Sequence, residues 1–289
     1  MNGEIAGAKQ PPPSGPAILF CPADRPDRYA KALARADAVI IDLEDAVSAD
    51  RKAIARAALR KELPNLPADR IVVRVNALRT TEGQLDLDLI RGSGLHSVMV
   101  PKAEDPDEID SLSKLSVIAL CETARGVSAA HEIADVGRCV GLMWGGEDLT
   151  ADIGGWSSRG GDRRYLPHVD YARSRILIAA AASRIASWDG VFLDIADASG
   201  LEAESAEAVS MGFAAKVAIH PSQIPVIRKT YHPSDKQLTW ATGLLSAVDD
   251  AESGVTTFNG RMVDGPMVAM ARAMLAARRS RKERQVSEG

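Results

Sequence analysis

Cysteine is scarce: Cys21, Cys121 and Cys139 are the three in 289 residues. An odd, sparse set without tight pairing argues against a disulfide framework or a zinc site, and two of the three fall in apolar strand-like runs as buried thiols. Aromatic residues are few while alanine abounds, a balance that favours helices around a modest β core. Charge of one sign is missing as well. A net charge of -4 gives no bulk electrostatic pull toward nucleic acid or an anionic membrane. The basic run Arg278-Arg279-Ser280-Arg281-Lys282 is short, adjoins Glu283 and reads as a solvated helix end. No apolar run approaches the ~18 residues needed to span a bilayer. Met1 to Pro16, rich in Gly, Pro and Ala, lacks the basic start and apolar segment of a secretory signal, so it reads as a disordered tail and the protein as cytoplasmic. Also missing are a Gly-x-x-x-x-Gly-Lys-Ser/Thr phosphate loop, a Gly-x-Ser-x-Gly elbow and a His-Glu-x-x-His helix.

What is present is alternation. Short apolar runs at Ala17–Cys21, Ala38–Asp45, Ile71–Asn76, Ser97–Lys102, Val117–Glu122, Val140–Trp144, Gly190–Ile195 and Ala215–Pro221 read as strands. Helical patterns fill the gaps, among them Asp50–Leu63, Ala124–Ala134, His168–Ser187 and Leu201–Met211. The strands are continuous apolar runs, as expected of parallel strands buried on both faces. Eight such units predict an α/β fold of the (β/α)8 TIM-barrel type over residues 17–232. A doubly wound open sheet is the alternative, and the regular count favours closure. Residues 233–289 are surplus to a bare barrel. They read as a C-terminal helical arm, with helices at Ser234–Ala251 and Val263–Arg279, packing on a neighbouring subunit or over the barrel mouth.

In a barrel of this kind the active site lies at the C-terminal ends of the strands. Those ends collect Asp42, Glu44, Asp45, Arg74, Asn76, Lys102, Glu122, Glu147, Asp148, Asp194 and His220. Glu122 and Asp148 are candidate ligands of Mg²⁺ or Mn²⁺, whose octahedra suit two carboxylates plus waters and substrate oxygens. The competing reading makes each a helix or turn cap. Gly145 and Gly146 either let the backbone approach a bound carboxylate or simply make a tight turn. Arg74 either binds a substrate carboxylate and stabilises enolate charge, or pairs structurally with Glu44 or Asp45. Asp42, Glu44 and Asp45 alternate faces, so not all three can point inward. Lys102 is the one lysine placed for Schiff-base work, which would need it desolvated. His220 is secondary. The polar insertion Ile153–Pro167 is long for a βα loop and could serve as a lid or thioester-binding loop.

Taken together the motifs resemble the citrate lyase β-subunit-like family. They are Leu19-Phe20-Cys21-Pro22-Ala23-Asp24-Arg25-Pro26, Ile41-Asp42-Leu43-Glu44-Asp45-Ala46-Val47, Val73-Arg74-Val75-Asn76 and Pro101-Lys102. Further along come Glu122-Thr123-Ala124-Arg125-Gly126, Gly146-Glu147-Asp148-Leu149, Ile219-His220-Pro221-Ser222-Gln223 and Met262-Val263-Asp264-Gly265-Pro266. The resemblance runs from about Ala17 to Ala277, with the motifs in the family's order.

The resemblance implies a Mg²⁺-dependent barrel enzyme that makes or breaks a carbon–carbon bond beside an acyl thioester. It implies Glu122 and Asp148 as metal ligands and Arg74 as the substrate-binding, charge-stabilising residue. It implies Asp264 as an acid/base supplied by a neighbouring subunit in a homo-oligomer, a trimer or a multiple of it. Glu44, Gly146 and Glu147 join Arg74 and Glu122 as substrate-side candidates, with Glu147 either orienting the glycine turn or binding a substrate water. Arg25, Arg28 and Lys31 are candidate contacts for the phosphates of CoA by charge and location, against a reading as exposed helix charges. The implied reaction is retro-Claisen cleavage of a 3-hydroxyacyl-CoA thioester of the malyl, citramalyl, citryl or hydroxymethylglutaryl type. Its products are acetyl-CoA or a homologue and an oxo acid. A citryl-acyl-carrier lyase subunit, a malyl-CoA-type thioesterase and a non-catalytic CoA-binding subunit are the competing readings.

Overall fold

The computed structural model describes residues 10–250 and 256–287. The chain divides into two compact units, Met1–Arg228 and Lys229–Gly289. In the first, strands β1 (Ala17–Pro22), β2 (Ala38–Asp42), β3 (Ile71–Arg74), β4 (Ser97–Val100), β5 (Ser116–Cys121), β6 (Cys139–Trp144), β7 (Ala186–Asp189) and β8 (Ala215–Ala218) pair in sequence order and in parallel. β8 closes on β1 through Lys216 opposite Ala17 and Ala218 opposite Leu19, so the expected barrel is the barrel observed. Between them run α1 (Tyr29–Leu33), α2 (Lys52–Glu62), α3 (Thr81–Ile90), α4 (Pro106–Ser111), α5 (Ala124–Ser128), α6 (Ala130–Asp135), α7 (Gly146–Asp152), α8 (Pro167–Ala182), α9 (Ala198–Met211) and α10 (Gln223–Thr230). None of the described helices is long and apolar enough to cross a membrane.

The barrel is filled by apolar side chains from successive strands, among them Ile18, Ile40, Val72, Ile118, Val140 and Val217. Burying them on both faces removes water from the strands and leaves the polar residues to gather at the strand ends. Local chemistry starts the helices. Thr123 Oγ1 accepts from Gly126 N (3.0 Å) at α5, and Asp197 Oδ1 accepts from Gly200 N (2.9 Å) at α9. A left-handed Gly212 (φ 112°) ends α9. Of the expected tail, residues 1–9 lie outside the described residues. Within 10–16, the Gln10 carbonyl accepts from Ser116 Oγ (3.0 Å) and the Pro16 carbonyl from Lys216 N (2.8 Å).

The structure corrects the seventh unit. The expected helix to Ser187 stops at Ala182, and Arg184 adopts a left-handed φ of 54°. The strand follows at once, as Ala186-Ser187-Trp188-Asp189, and not at Gly190–Ile195, where Leu193 and Ile195 are largely exposed. The apolar-run signal failed because β7 is built around charge. Asp189 is fully buried and accepts from Lys216 Nζ (2.7 Å), Arg173 Nε (3.0 Å) and Trp144 Nε1 (3.0 Å). Opposite it in the ladder is Lys216, also fully buried, whose ammonium reaches Glu204 (2.9 Å) and the Gly190 carbonyl (2.9 Å). The region around α5 and α6 is likewise broken at Ala129, where one continuous helix was expected.

The second unit holds α11 (Asp235–Asp249), a hairpin of β9 (Thr256–Phe258) and β10 (Arg261–Val263), and α12 (Gly265–Ser287). Ser234 and Gln237 form a reciprocal capping box at the start of α11. Ala241, Leu244, Val263 and Ala271 form its small core, and a Cβ at Gly243 would lie 2.9 Å from the Phe258 ring. The basic run from Arg278 lies inside α12.

Because Asp189 balances two buried cations, its loss leaves charge unpaired in the interior. The Asp189→Ala substitution is expected to lower unfolding free energy by about 3–5 kcal/mol in denaturant titration.

Candidate active site

Six charged side chains converge at the C-terminal mouth of β2 to β6. Arg74, the last residue of β3, stands opposite Asp42, the last of β2, in the strand register. That register yields a two-pronged pair: Arg74 Nε to Asp42 Oδ1 (2.7 Å) and Nη2 to Oδ2 (2.6 Å). The third nitrogen, Nη1, lies 2.9 Å from Glu44 Oε2. Phe20 of β1 sits beneath the guanidinium at 4.8 Å. The competing reading of Arg74 as an ion-pair partner is thus half right. Its principal partner is Asp42, not Asp45, which faces solvent while Asp42 and Glu44 point inward.

Lys102, two residues past β4, donates its ammonium to Glu44 Oε1 (2.7 Å) and its amide to Glu122 Oε1 (3.1 Å). The same ammonium lies 3.8 Å from Glu122 Oε1 and 3.8 Å from Asp148 Oδ1. Glu122 follows β5 and is almost fully buried, whereas Asp148, in the first turn of α7, is half-exposed. Thr123, the residue after Glu122, caps α5, so Glu122 is released from the capping role it was weighed against. Asp148 makes no cap contact at α7, whose cap residue is Gly145.

Burial pushes the Glu122 carboxyl up from the ordinary 4.5 to about 8, and the neighbouring Asp148 charge adds to the rise. Burial also raises Glu44, against the pull of Arg74 and Lys102. Burial works against the Lys102 ammonium, yet its bond to Glu44 leaves its pKa above the usual lysine value. With all groups ionised, Asp42, Glu44, Glu122 and Asp148 face Arg74 and Lys102, which leaves two negative charges unbalanced. Among the described residues, no three Asp, Glu, His or Cys side chains form a ready-made cage. The pair Glu122 and Asp148 instead suits a small divalent cation that keeps most of its waters.

The two glycines of the turn each make room for neighbouring side chains. A Cβ at Gly145 would fall 2.8 Å from Glu122 Oε2, so this glycine makes room for the protein's own carboxylate. A Cβ at Gly146 would crowd Val169 and the Trp144 ring at 3.1 and 3.2 Å. Both glycines border a cavity of about 160 Å³, whose walls include Phe20, Arg74, Glu122, Trp144, Asp148 and Tyr165. Glu147 touches the same cavity but is exposed, and its Oε1 accepts from Ser158 Oγ (2.5 Å), which ties down the insertion.

Other candidates of the first unit lie apart from this cavity. Arg25 is engaged by Asp27 at 2.9 Å, and Arg28 and Lys31 are exposed. His220 Nδ1 bonds Ser222 Oγ (2.7 Å) in a local turn. Asp194 pairs with Arg163 (2.9 Å), and Asn76 holds Asp86 and the Leu43 carbonyl. The Cys21 thiol is pushed up to about 11 by burial. Asp264 is exposed at the start of α12, where its Oδ1 accepts from Met267 N (3.0 Å). Sequence reasoning missed the Asp42 fork and the Trp144–Asp189–Lys216 cluster. The second had a signal: a lysine in the middle of the apolar strand Ala215-Lys216-Val217-Ala218 requires a buried partner.

A carboxyl whose folded pKa is raised favours the protonated form in the folded state, so its contribution to stability is lost as pH rises through the folded value. The metal-free protein is therefore expected to lose thermal stability between about pH 4.5 and pH 8. Glu122→Gln, which cannot ionise, is expected to flatten that slope in melting curves recorded across the range.

The chain also matches known proteins over nearly its full length. The HpcH/HpaI aldolase/citrate lyase model matches residues 17–221. A citrate lyase subunit beta-like protein of Mycobacterium tuberculosis is 48% identical over 262 residues, 91% of this chain and 95% of that one. The human mitochondrial citramalyl-CoA lyase is 31% identical, covering 93% of this chain and 86% of its own. The crystal structure of Mycobacterium tuberculosis CitE in complex with magnesium, acetoacetate and coenzyme A superposes with a TM-score of 0.88 at 48% identity, over 91% of this chain and 98% of that one. A barrel whose strand ends gather the motif acids and Arg74, matched across its length at these identities, belongs to the HpcH/HpaI aldolase/citrate lyase family of enzymes.

Proposed function

We propose that this chain is a Mg²⁺-dependent carbon–carbon lyase. It cleaves a 3-hydroxyacyl-CoA thioester into an oxo acid and acetyl-CoA or a homologue. The observation that carries this reading is the Glu122 and Asp148 pair, set beside Arg74 in one cavity with two negative charges in excess when every group is ionised. That excess equals the charge of one Mg²⁺, so the residues present fit the ion that the Mycobacterium tuberculosis structure contains. Mn²⁺, with similar preferences, fits as well. When bound, Mg²⁺ supplies Lewis-acid stabilisation to oxygens that gain negative charge.

The chain's own residues supply the rest. Arg74 is locked by Asp42 and Glu44, so it offers its remaining edge to a substrate carboxylate without first losing side-chain freedom. Phe20 and Trp144 wall the cavity with apolar surface, which strengthens the electrostatics inside it. Cleavage passes the hydroxyl proton to solvent water, breaks the carbon–carbon bond, turns the alkoxide into the carbonyl of the oxo acid and places the electron pair on the carbon next to the thioester. Asp264 of a neighbouring copy protonates that carbon. Its exposed position at the head of α12 is compatible with service to another chain. Arg28 and Lys31, exposed after β1, are available to the phosphates of CoA.

The decisive assay is a panel of malyl-, citramalyl-, citryl- and hydroxymethylglutaryl-CoA with Mg²⁺, followed by product identification. Oxo acid together with a shorter acyl-CoA is the expected result on at least one member. Free CoA without carbon–carbon cleavage would mark a thioesterase instead. Glu122→Ala and Asp148→Ala are expected to abolish Mg²⁺-dependent turnover, and Arg74→Ala to lower kcat/KM by roughly 10²–10³-fold. Mixing inactive Arg74→Ala and Asp264→Ala chains before assembly is expected to restore part of the activity. Mixed oligomers that form and stay inactive would contradict an acid supplied from a second copy.

A further inference from the structure

Lys102 is the residue the proposed chemistry leaves unused. Three features of it demand a reason. Its backbone is left-handed (φ 48°), a conformation that a side chain with a Cβ rarely adopts and that persists where surrounding structure enforces it. Its amide is bonded to Glu122, so the same turn that is strained also fixes a proposed metal ligand. Its ammonium stands among three carboxylates. It is hydrogen-bonded to Glu44 at 2.7 Å, and at 3.8 Å it touches Glu122 and Asp148 through charge alone.

We infer that Lys102 is a built-in counter-cation of the metal pair, and that its ammonium and the divalent ion compete for Glu122 and Asp148. This rests on the reading of those two acids as metal ligands. The geometry gives the competition its form. The bond to Glu44 is the anchor, while the contacts with Glu122 and Asp148 are long and breakable. The side chain is 39% exposed, so the flexible four-carbon stem has room to move away. When the ion arrives, the ammonium keeps its bond to Glu44 and swings away from Glu122 and Asp148, and the two acids turn to the metal. When it leaves, the ammonium returns and limits repulsion between Glu122 and Asp148. Lys102 is in this sense a positioning residue: it acts through the carboxylates and sets how tightly they hold the ion.

The test is calorimetric titration of the metal-free full-length protein with Mg²⁺, together with melting curves at zero and saturating Mg²⁺. Lys102→Met removes the ammonium. Lys102→Gly removes it and also suits the left-handed backbone, so loss of folding in the first variant leaves the second as a working test. Both variants are expected to bind Mg²⁺ about tenfold more tightly than wild type, since one repelling charge is gone. The Met variant is expected to melt lower without metal and to show a larger rise on adding it. A purely structural lysine would lower the melting temperature and leave the Mg²⁺ Kd unchanged. Unchanged or weaker Mg²⁺ binding in both variants overturns the role of Lys102. Absence of Mg²⁺ binding in the wild type would remove the metal site itself, and this inference with it. Glu122→Gln serves as the control that loses the ion.

Discussion

Four carboxylates share the mouth of an apolar barrel with two cations, and the rest of the site follows from that imbalance. Buried charge is tolerated only when paired or hydrogen-bonded. Asp42 meets this requirement by accepting two hydrogen bonds from Arg74 and one each from the backbone amides of Glu44 and Ala46. Glu44 meets it by sitting between Arg74 and Lys102. Glu122 meets it least: it has one backbone donor, the Lys102 amide, and a long 3.8 Å contact with the Lys102 ammonium, and its carboxyl is driven upward by burial and by Asp148. The strain in the charge balance is thus concentrated on the two acids that face the cavity together, where a divalent cation would relieve it. Arg74, already saturated on one side, is positioned rather than consumed by its partners.

A second charged cluster supports the first from behind. Trp144 ends β6, and its indole donates to Asp189 while its ring borders both Gly146 and the cavity. Asp189 in turn is held by Arg173 of α8 and Lys216 of β8. Tyr165 packs edge-on against Trp144 at 5.2 Å and donates to Glu204, which also accepts from Arg159 of the insertion. The turn that carries Asp148 is therefore fixed on its far side by neutral, buried ion pairs. The insertion is stitched to it through Glu147 and Ser158. The insertion, expected as a lid or thioester loop, also braces the Gly145–Asp148 turn in the described structure.

Much of this was legible in the residues because apolar runs ending in acids have one simple reading. Seven of the eight strands overlap their expected positions, and Arg74, Glu122 and Asp148 meet in one cavity. The eighth case, β7, was missed because its stabilisation comes from charge rather than from apolar burial. A four-residue strand ending in Asp189 leaves no periodic trace. The Asp42 fork depended on strand register, which a single sequence does not reveal. Lys102, weighed for Schiff-base work and set below the metal route, does not suit it: burial opposes its charge, yet the bond to Glu44 holds its pKa above the usual lysine value, the opposite of what that chemistry needs. Gly145, read either as approaching a bound carboxylate or as making a tight turn, leaves room for the Glu122 carboxylate.

The central claim is that the excess charge at the barrel mouth is a divalent-cation site. Anomalous diffraction from crystals of the full-length protein equilibrated with Mn²⁺ tests it most directly. The account predicts one strong peak beside Arg74, with oxygens of both Glu122 and Asp148 at about 2.0–2.3 Å and the Lys102 ammonium moved away from both acids while still bonded to Glu44. A map with no peak between those two carboxylates, or with Mn²⁺ bound only elsewhere, would contradict it.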